Sequence, residues 1–313
     1  MKNRKLKIHH FRDAGIFHRV AMPVLVCLWM CGECVPLRGQ ENRHANVLYG
    51  VAGTYATPPR NADGTVNMTK LLKELKDIHA NTYHWLIRDN NDELDVLKQF
   101  LPRARRKHIN VWVTIVPPSE QPPVLKAGYA EPYRLDFEKW AKELAGLSLT
   151  EPNLVAWSID DFAHNLKTFT PQYMEKIIKA SKEVNPEFLF VPCCYYAQVT
   201  DNFIRNYIRF CDGILFPYRA ESEKANLQNP HLVEQEISRL REKTGIPVIL
   251  DIYASAHSKL GASTAEYVEK VLHAGLATAD GVLIYTHLDA VQNAAKHAVI
   301  KKGFRRYKPK NNH

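Results

Sequence analysis

Several signatures are missing from this chain of 313 residues, and each absence removes a class of function. The apolar run VAMPVLVCLWMCG at 20–32 is too short to span a membrane, so no integral membrane segment is expected. No G-x-G-x-x-G follows the first β-rich run; GVAGTY at 50–55 lacks both that spacing and the helix start a dinucleotide site requires. No G-x-S-x-G is present, and no cysteine stands with a histidine in a way that suggests a nucleophile. The first strand has no His-x-His for a metal hydrolase, and THLDAVQN at 286–293 has no glycines to cradle a phosphate. Cysteine is scarce. Of six, Cys27, Cys31 and Cys34 lie near the N-terminus, and Cys193, Cys194 and Cys211 are odd in number, lack metal-ligand spacing and read as small buried hydrophobes. No metal and no cofactor are expected; His84, Asp160, His164, His287 and Asp289 would form a metal site only if the fold happened to gather them.

The net charge of +9 is uneven: seven Lys/Arg face two acids in 1–40 and six face none in 301–313, leaving 29 basic and 31 acidic residues between. A near-neutral body argues against a nucleic-acid groove, which needs clustered basic side chains on the folded core. Residues 301–313 read as a solvated basic tail. Residues 1–40 combine a basic stretch, an apolar run and a short polar region, the three-part pattern of an export signal, so the protein is expected to be secreted or periplasmic.

Eight β-rich runs follow, at 47–55, 81–88, 109–118, 154–162, 187–196, 212–219, 246–255 and 280–289. Between them lie amphipathic stretches such as MTKLLKELKDIHA and TPQYMEKIIKASKEVN, with Asn67 and Thr170-Pro171 as start signals. Eight alternations spaced by about 30 residues, with strands nearly continuous in hydrophobicity, predict a single-domain α/β (β/α)8 TIM barrel over 41–300 rather than an open doubly wound sheet.

In such a barrel, chemistry sits at the C-terminal ends of the strands. The residues there are Thr54, Tyr55, Arg88, Asp89, Pro117, Glu120, Asp160, Asp161, His164, Tyr195, Tyr196, Tyr218, Arg219, Glu221, Asp251, Tyr253, Tyr285, His287 and Asp289. Carboxylates mixed with aromatics suit a carbohydrate, whose C–H faces stack on rings while its hydroxyls bond to acids. Tyr55, Trp85, Arg88, Asp89, Tyr196, Tyr218, Tyr253, Tyr285 and His287 are the expected substrate contacts, although each aromatic could equally serve packing and His287 could be a satisfied structural group.

The run AWSIDDF at 156–162 concentrates the chemistry. Alternation directs Ala156, Ser158 and Asp160 into the barrel and Val155, Trp157 and Ile159 outward. Two neighbouring carboxylates cannot both ionise freely, so one holds a proton for donation. The bland alternative has Asp161 capping the next loop and Asp160 paired with a base such as Arg88.

YGVAGTYATPPR, NTYHWLIRDNNDEL, INVWVTIVPPS and WSIDDF together resemble the catalytic barrel of glycoside hydrolase family 84, the O-GlcNAcase and bacterial hexosaminidase group, over 47–162. The resemblance implies substrate-assisted cleavage of an N-acetylhexosaminide, with Asp160 orienting the 2-acetamido group and Asp161 as general acid and base. After the sixth to eighth strands the family's Asn/Asp-rich sugar-binding segments are missing. A second scheme makes Asp251 the nucleophile of a retaining glycosidase, opposite an acid from the Asp160–Asp161 pair; its bland alternative is a buried hydrogen bond. A barrel that binds glycan without cleaving it is the non-enzymatic reading.

Overall fold

The computed structural model describes residues 45–88, 90–126 and 128–307. The export-signal reading of 1–40 and the substrate contact assigned to Asp89 lie outside the described residues, as does the end of the chain from 308.

All eight expected strands form: β1 (Val51–Ala56), β2 (Thr82–Ile87), β3 (Asn110–Ile115), β4 (Leu154–Ile159), β5 (Leu189–Phe190), β6 (Ile214–Pro217), β7 (Val248–Tyr253) and β8 (Gly281–Tyr285). Every pairing between them is parallel, in the order β5-β4-β3-β2-β1-β8-β7-β6. The curled sheet brings its two ends together, because Leu215 N–H donates to the Pro192 carbonyl (3.0 Å) and Cys194 N–H to the Leu215 carbonyl (2.9 Å). Regular strand stops at Phe190 just before Pro192, which has no N–H to give a ladder. The architecture is TIM-barrel-like.

Outside run α1 (Met68–Asp77), α2 (Glu93–Arg105), α3 (Phe137–Thr150), α4 (Pro171–Lys182), α5 (Asp201–Tyr207), α6 (Val233–Thr244), α7 (Ala265–Thr278) and α8 (Ala294–Arg306). The two start signals behave as expected: Asn67 accepts from Lys70 N–H (2.8 Å) and Thr170 from Tyr173 N–H (3.3 Å). The expected tail from 301 is corrected. Residues 301–306 complete α8, which buries Ile300 and Phe304 and anchors Lys301 on Asp77 (2.6 Å) and Lys302 on Glu269 (3.1 Å). Among the described residues no helix is long and apolar enough to cross a membrane.

Alternation along the strands decides what reaches the interior. Trp157 packs outward against Phe190 (4.6 Å between ring centroids), whereas Asp160, on the opposite face, senses the inner residues Tyr55 and Asp251. Gly53 has no room for a side chain, since a Cβ there would strike the Thr82 carbonyl on β2 and the Leu283 side chain on β8. The register then aligns Tyr253, Tyr285, Tyr55 and His84 across β7, β8, β1 and β2. Their ring centroids are 5.3, 5.2 and 4.4 Å apart in turn. This aromatic layer floors the C-terminal mouth.

Candidate active site at the C-terminal mouth of the barrel

Asp160 follows β4, with its N–H on the Ile115 carbonyl (3.1 Å). Simple alternation would send Asp161 to the other side. Instead Asp161 turns into the left-handed region (φ 42°, ψ 34°), which a short polar side chain tolerates. The turn keeps both acids at one mouth: a carboxylate oxygen of each and Cys193 Sγ lie within 4.8 Å of one another. Neither bland alternative is realised. Asp161 makes no side-chain cap bond, and Asp160 Oδ1 accepts from Asp161 N–H (3.0 Å), with no ion pair to Arg88 among the described residues.

The two acids sit in different fields. Burial, reinforced by the charges of Asp161 and Glu120, pushes Asp160 up to about 7, against a small opposing pull from the Tyr55 hydroxyl. Asp161 goes the other way: burial would raise it, but the nearby His164 (3.7 Å) and Tyr195 and the charge of Arg219 outweigh that and leave it below the ordinary aspartate range. The surroundings thus push Asp160 toward its protonated form and Asp161 toward its ionised one. The opposite directions follow from the neighbours, since Asp161 has His164 and Arg219 nearby and Asp160 has Asp161 and Glu120.

Asp251 lies on β7 beneath the aromatic floor, only 2 % exposed. Burial and the neighbouring Asp160 raise its pKa well above the usual range, and Oδ1 has no hydrogen-bond partner. A buried, protonated carboxyl is poorly suited to nucleophilic attack. Its expected buried hydrogen bond does not form through Oδ1 either.

Five more expected contacts belong to the mouth or its floor. Tyr55, 2 % exposed, faces Asp160. Tyr253 shares a hydroxyl contact with Tyr195 (3.2 Å), and Tyr285 caps the floor between Tyr55 and Tyr253. Arg88 lies close enough to Glu120 and Tyr285 to act on both electrostatically. Tyr196 begins a short 3-10 turn and is half-buried against Phe216 (6.4 Å), so it is at best a rim residue.

Three expected contacts are corrected. Trp85 alternates with the inward His84 and therefore faces outward, fully buried against Phe100 of α2 (5.2 Å). Tyr218 likewise faces out, parallel to Tyr267 of α7 (6.5 Å), with its hydroxyl donated to the Asn229 carbonyl (2.6 Å). His287 lies beyond the end of β8, held between Thr54 Oγ1 (3.0 Å) and Glu74 Oε2 (2.9 Å). It is a satisfied structural group.

Glu120, Tyr195 and Arg219 were among the strand-end residues but not among the expected contacts, and the structure places all three at the mouth. Asn165 is the reason for Glu120: its side chain bonds Ser119 Oγ (3.0 Å) and the Asp161 carbonyl (2.9 Å), tying the turn that carries Glu120 to the turn that carries Asp161. Arg219 stacks over the Tyr195 ring (3.8 Å), pairs with Glu221 and meets His257 Nε2 (3.3 Å). Parity would have found two of them: Tyr195 shares the inward face of Cys193, and Arg219 alternates with the outward Tyr218.

As a metal site, Asp160, Asp161 and Cys193 are the one cluster of candidate ligands among the described residues. Burial and the adjacent Asp160 and Asp161 raise the Cys193 thiol well above its usual range, so a cation would have to displace a tightly held proton. The five residues considered from sequence are not gathered: His84 touches Thr114 (2.6 Å) inside the barrel, while Asp289 pairs with Lys70 (3.2 Å) outside it.

No protein-family model matches the chain, and no curated protein matches it by sequence. Among solved structures, the fold is similar to a β-glucuronidase from an uncultured Clostridium species (TM-score 0.58, 13% identity, 82% of this chain and 50% of that one). It is also similar to the endo-β-1,4-mannanase of Thermotoga petrophila (0.57, 8%, 85% and 77%) and to a GH113 β-1,4-mannanase (0.56, 10%, 82% and 99%). The chain spans about half the length of the glucuronidase. At these identities the likeness establishes the barrel fold alone.

Proposed function

We propose that the protein is a glycoside hydrolase whose proton donor is Asp160 and whose ionised partner is Asp161. The observation that carries this reading is the meeting of two adjacent acids within 4.8 Å at the mouth of the barrel, in surroundings that push them in opposite directions. The Asp160 proton passes to the glycosidic oxygen as the bond to the anomeric carbon breaks, and the Asp161 carboxylate stabilises the positive charge growing on the sugar ring. With a 2-acetamido sugar, the acetamido oxygen attacks the anomeric carbon while Asp161 accepts from its N–H. Asp160, now ionised, then takes a proton from the water that resolves the intermediate.

These roles reverse the ones implied by the resemblance to family 84, where Asp161 would give the proton. The similar structures are named for glucuronides and for mannans, so the shared fold leaves the sugar open. Asp251 as nucleophile is disfavoured by its burial and its held proton. Residues 1–40 are read as an export signal, checked by sequencing the N-terminus of protein recovered outside the cytoplasm.

The test uses aryl glycosides of N-acetylglucosamine, glucose, mannose and glucuronic acid with wild type, Asp160→Asn and Asp161→Asn. Both variants are expected to lose about 10²–10⁴-fold in kcat/KM on a weak leaving group. On a dinitrophenyl glycoside, which departs without protonation, Asp160→Asn regains most of its activity. If Asp161→Asn shows that rescue instead, the roles revert; if neither substitution matters, or sugar binds without turnover, the hydrolase reading falls.

A further inference from the structure

Most charged groups around the mouth are committed to one another, but two are not. Glu120 is half-buried at the end of the turn after β3, and its carboxylate has no hydrogen bond or ion pair among the described residues. Arg88, at the end of β2, has an Nε with no solvent exposure and no acceptor, and its guanidinium forms no ion pair among the described residues. The two are near enough to influence one another, yet they stop short of a salt bridge. An acid and a guanidinium that stay apart leave an acceptor and a donor for something placed between them. Tyr55, 2 % exposed, aims its hydroxyl at Asp160 and has no other hydrogen-bond partner among the described residues, so the floor beside the two acids is polar as well.

The charges choose that occupant's class. Among the described residues, Asp161 and Glu120, beside an Asp160 that burial holds toward its protonated form, meet two cations: Arg219, which is shared with Glu221, and Arg88, which has no ion pair. His164 stands at the outer edge, 45% exposed and 3.7 Å from Asp161. A sugar carrying its own carboxylate would bring another negative charge against this excess of acids. A sugar that carries only hydroxyl or amide groups would satisfy the free acceptor and the free donor without that repulsion.

We propose that Glu120 and Arg88 form the specificity element of the mouth, together clamping the hydroxyls of an uncharged sugar, and that Glu120 excludes uronic acids. This deepens the glycosidase reading by naming the sugar class, and it rests on that reading for the location of the site alone. Glu120 is thus a specificity-determining residue.

The experiment measures binding and turnover separately. Methyl glycosides of glucose, mannose, N-acetylglucosamine and glucuronic acid are titrated into full-length wild type, Glu120→Gln and Arg88→Gln by calorimetry, with turnover of the matching aryl glycosides followed in parallel. Wild type is expected to bind at least one neutral glycoside about tenfold or more tightly than the glucuronide. Glu120→Gln should narrow that ratio severalfold by weakening the neutral ligand and admitting the uronide, whereas Arg88→Gln should weaken the neutral ligand without favouring the uronide. Equal or tighter uronide binding, a ratio unmoved by Glu120→Gln, or no binding of any of the four overturns the proposal. Neutral-selective binding without hydrolysis would keep it and sink the hydrolase reading; hydrolysis with a preference for the uronide would do the reverse.

Discussion

The two halves of the barrel mouth are furnished with the same kinds of residue and treat them differently. On the β6–β8 side most charged and polar groups have a protein partner, Arg219 with Glu221 and His257, Tyr218 with the Asn229 carbonyl, His287 with Thr54 and Glu74, while Asp251 Oδ1 and Arg219 Nε are buried without one. On the β2–β4 side, Glu120 and the Nε of Arg88 have no partner among the described residues, and Asp160 accepts from the next residue's N–H. Composition alone would call both halves carbohydrate-like. The difference lies in what burial leaves unsatisfied, since a partnered group supports the scaffold and an unpartnered one is available to a ligand.

The comparison is broken most severely at the two acids. Asparagine at 160 or 161 should remove about 10²–10⁴-fold of activity, read as kcat/KM on an unactivated aryl glycoside. The closed half should respond in stability. Arg219→Ala strands Glu221, which is 8% exposed, and should cost about 2–4 kcal/mol in denaturant unfolding with an unchanged m-value. Glu120→Gln, on the open half, should stay within about 0.5 kcal/mol of wild type. His287→Ala should cost about 1–3 kcal/mol by losing two partners, with kcat per folded molecule preserved.

Smaller effects follow from pH. Asp160 is surrounded by the charges of Asp161 and Glu120 and by the neutral Tyr55, Cys193 and Asp251. As the proton donor it should give kcat/KM an alkaline limb centred near 7, the value to which burial and those charges lift it. Glu120→Gln removes one of the charges and should shift that limb down by roughly half a pH unit. Stability moves with the same proton. Folded Asp160 keeps it up to about 7 and an ordinary aspartate releases it near 3.8, so the folded form binds more protons across that window and loses stability as pH rises through it. Asp160→Asn should consequently unfold at the same temperature as wild type at pH 4 and a few degrees higher at pH 8, a gain of about 1–2 kcal/mol.

Local pattern made much of the scaffold readable. The β-rich runs were found because buried parallel strands are almost continuously apolar, and the starts of α1 and α4 because Asn67 and Thr170 have the chemistry of caps. Position within an element is less legible than the element itself. Trp85 and Tyr218 lie near strand ends, yet one residue of parity puts each against a helix. The end of the chain was read from its charge, which hid Ile300 and Phe304 on the buried face of α8. Glu120 was visible as a strand-end residue, but its meeting with Asp161 depends on Asn165 bridging two loops 46 residues apart, a contact no local pattern encodes.

What the amino-acid order determined alone was the alternation of strand and helix and the adjacency of Asp160 and Asp161, because periodicity and neighbourhood are properties of a short window. Only the tertiary structure decided which of the two acids is pushed toward its protonated form, since burial and the positions of Tyr195, Arg219 and Glu120 come from three other strand ends. It alone also decided which half of the mouth stays unpaired, because an unsatisfied group is defined by everything that folds around it.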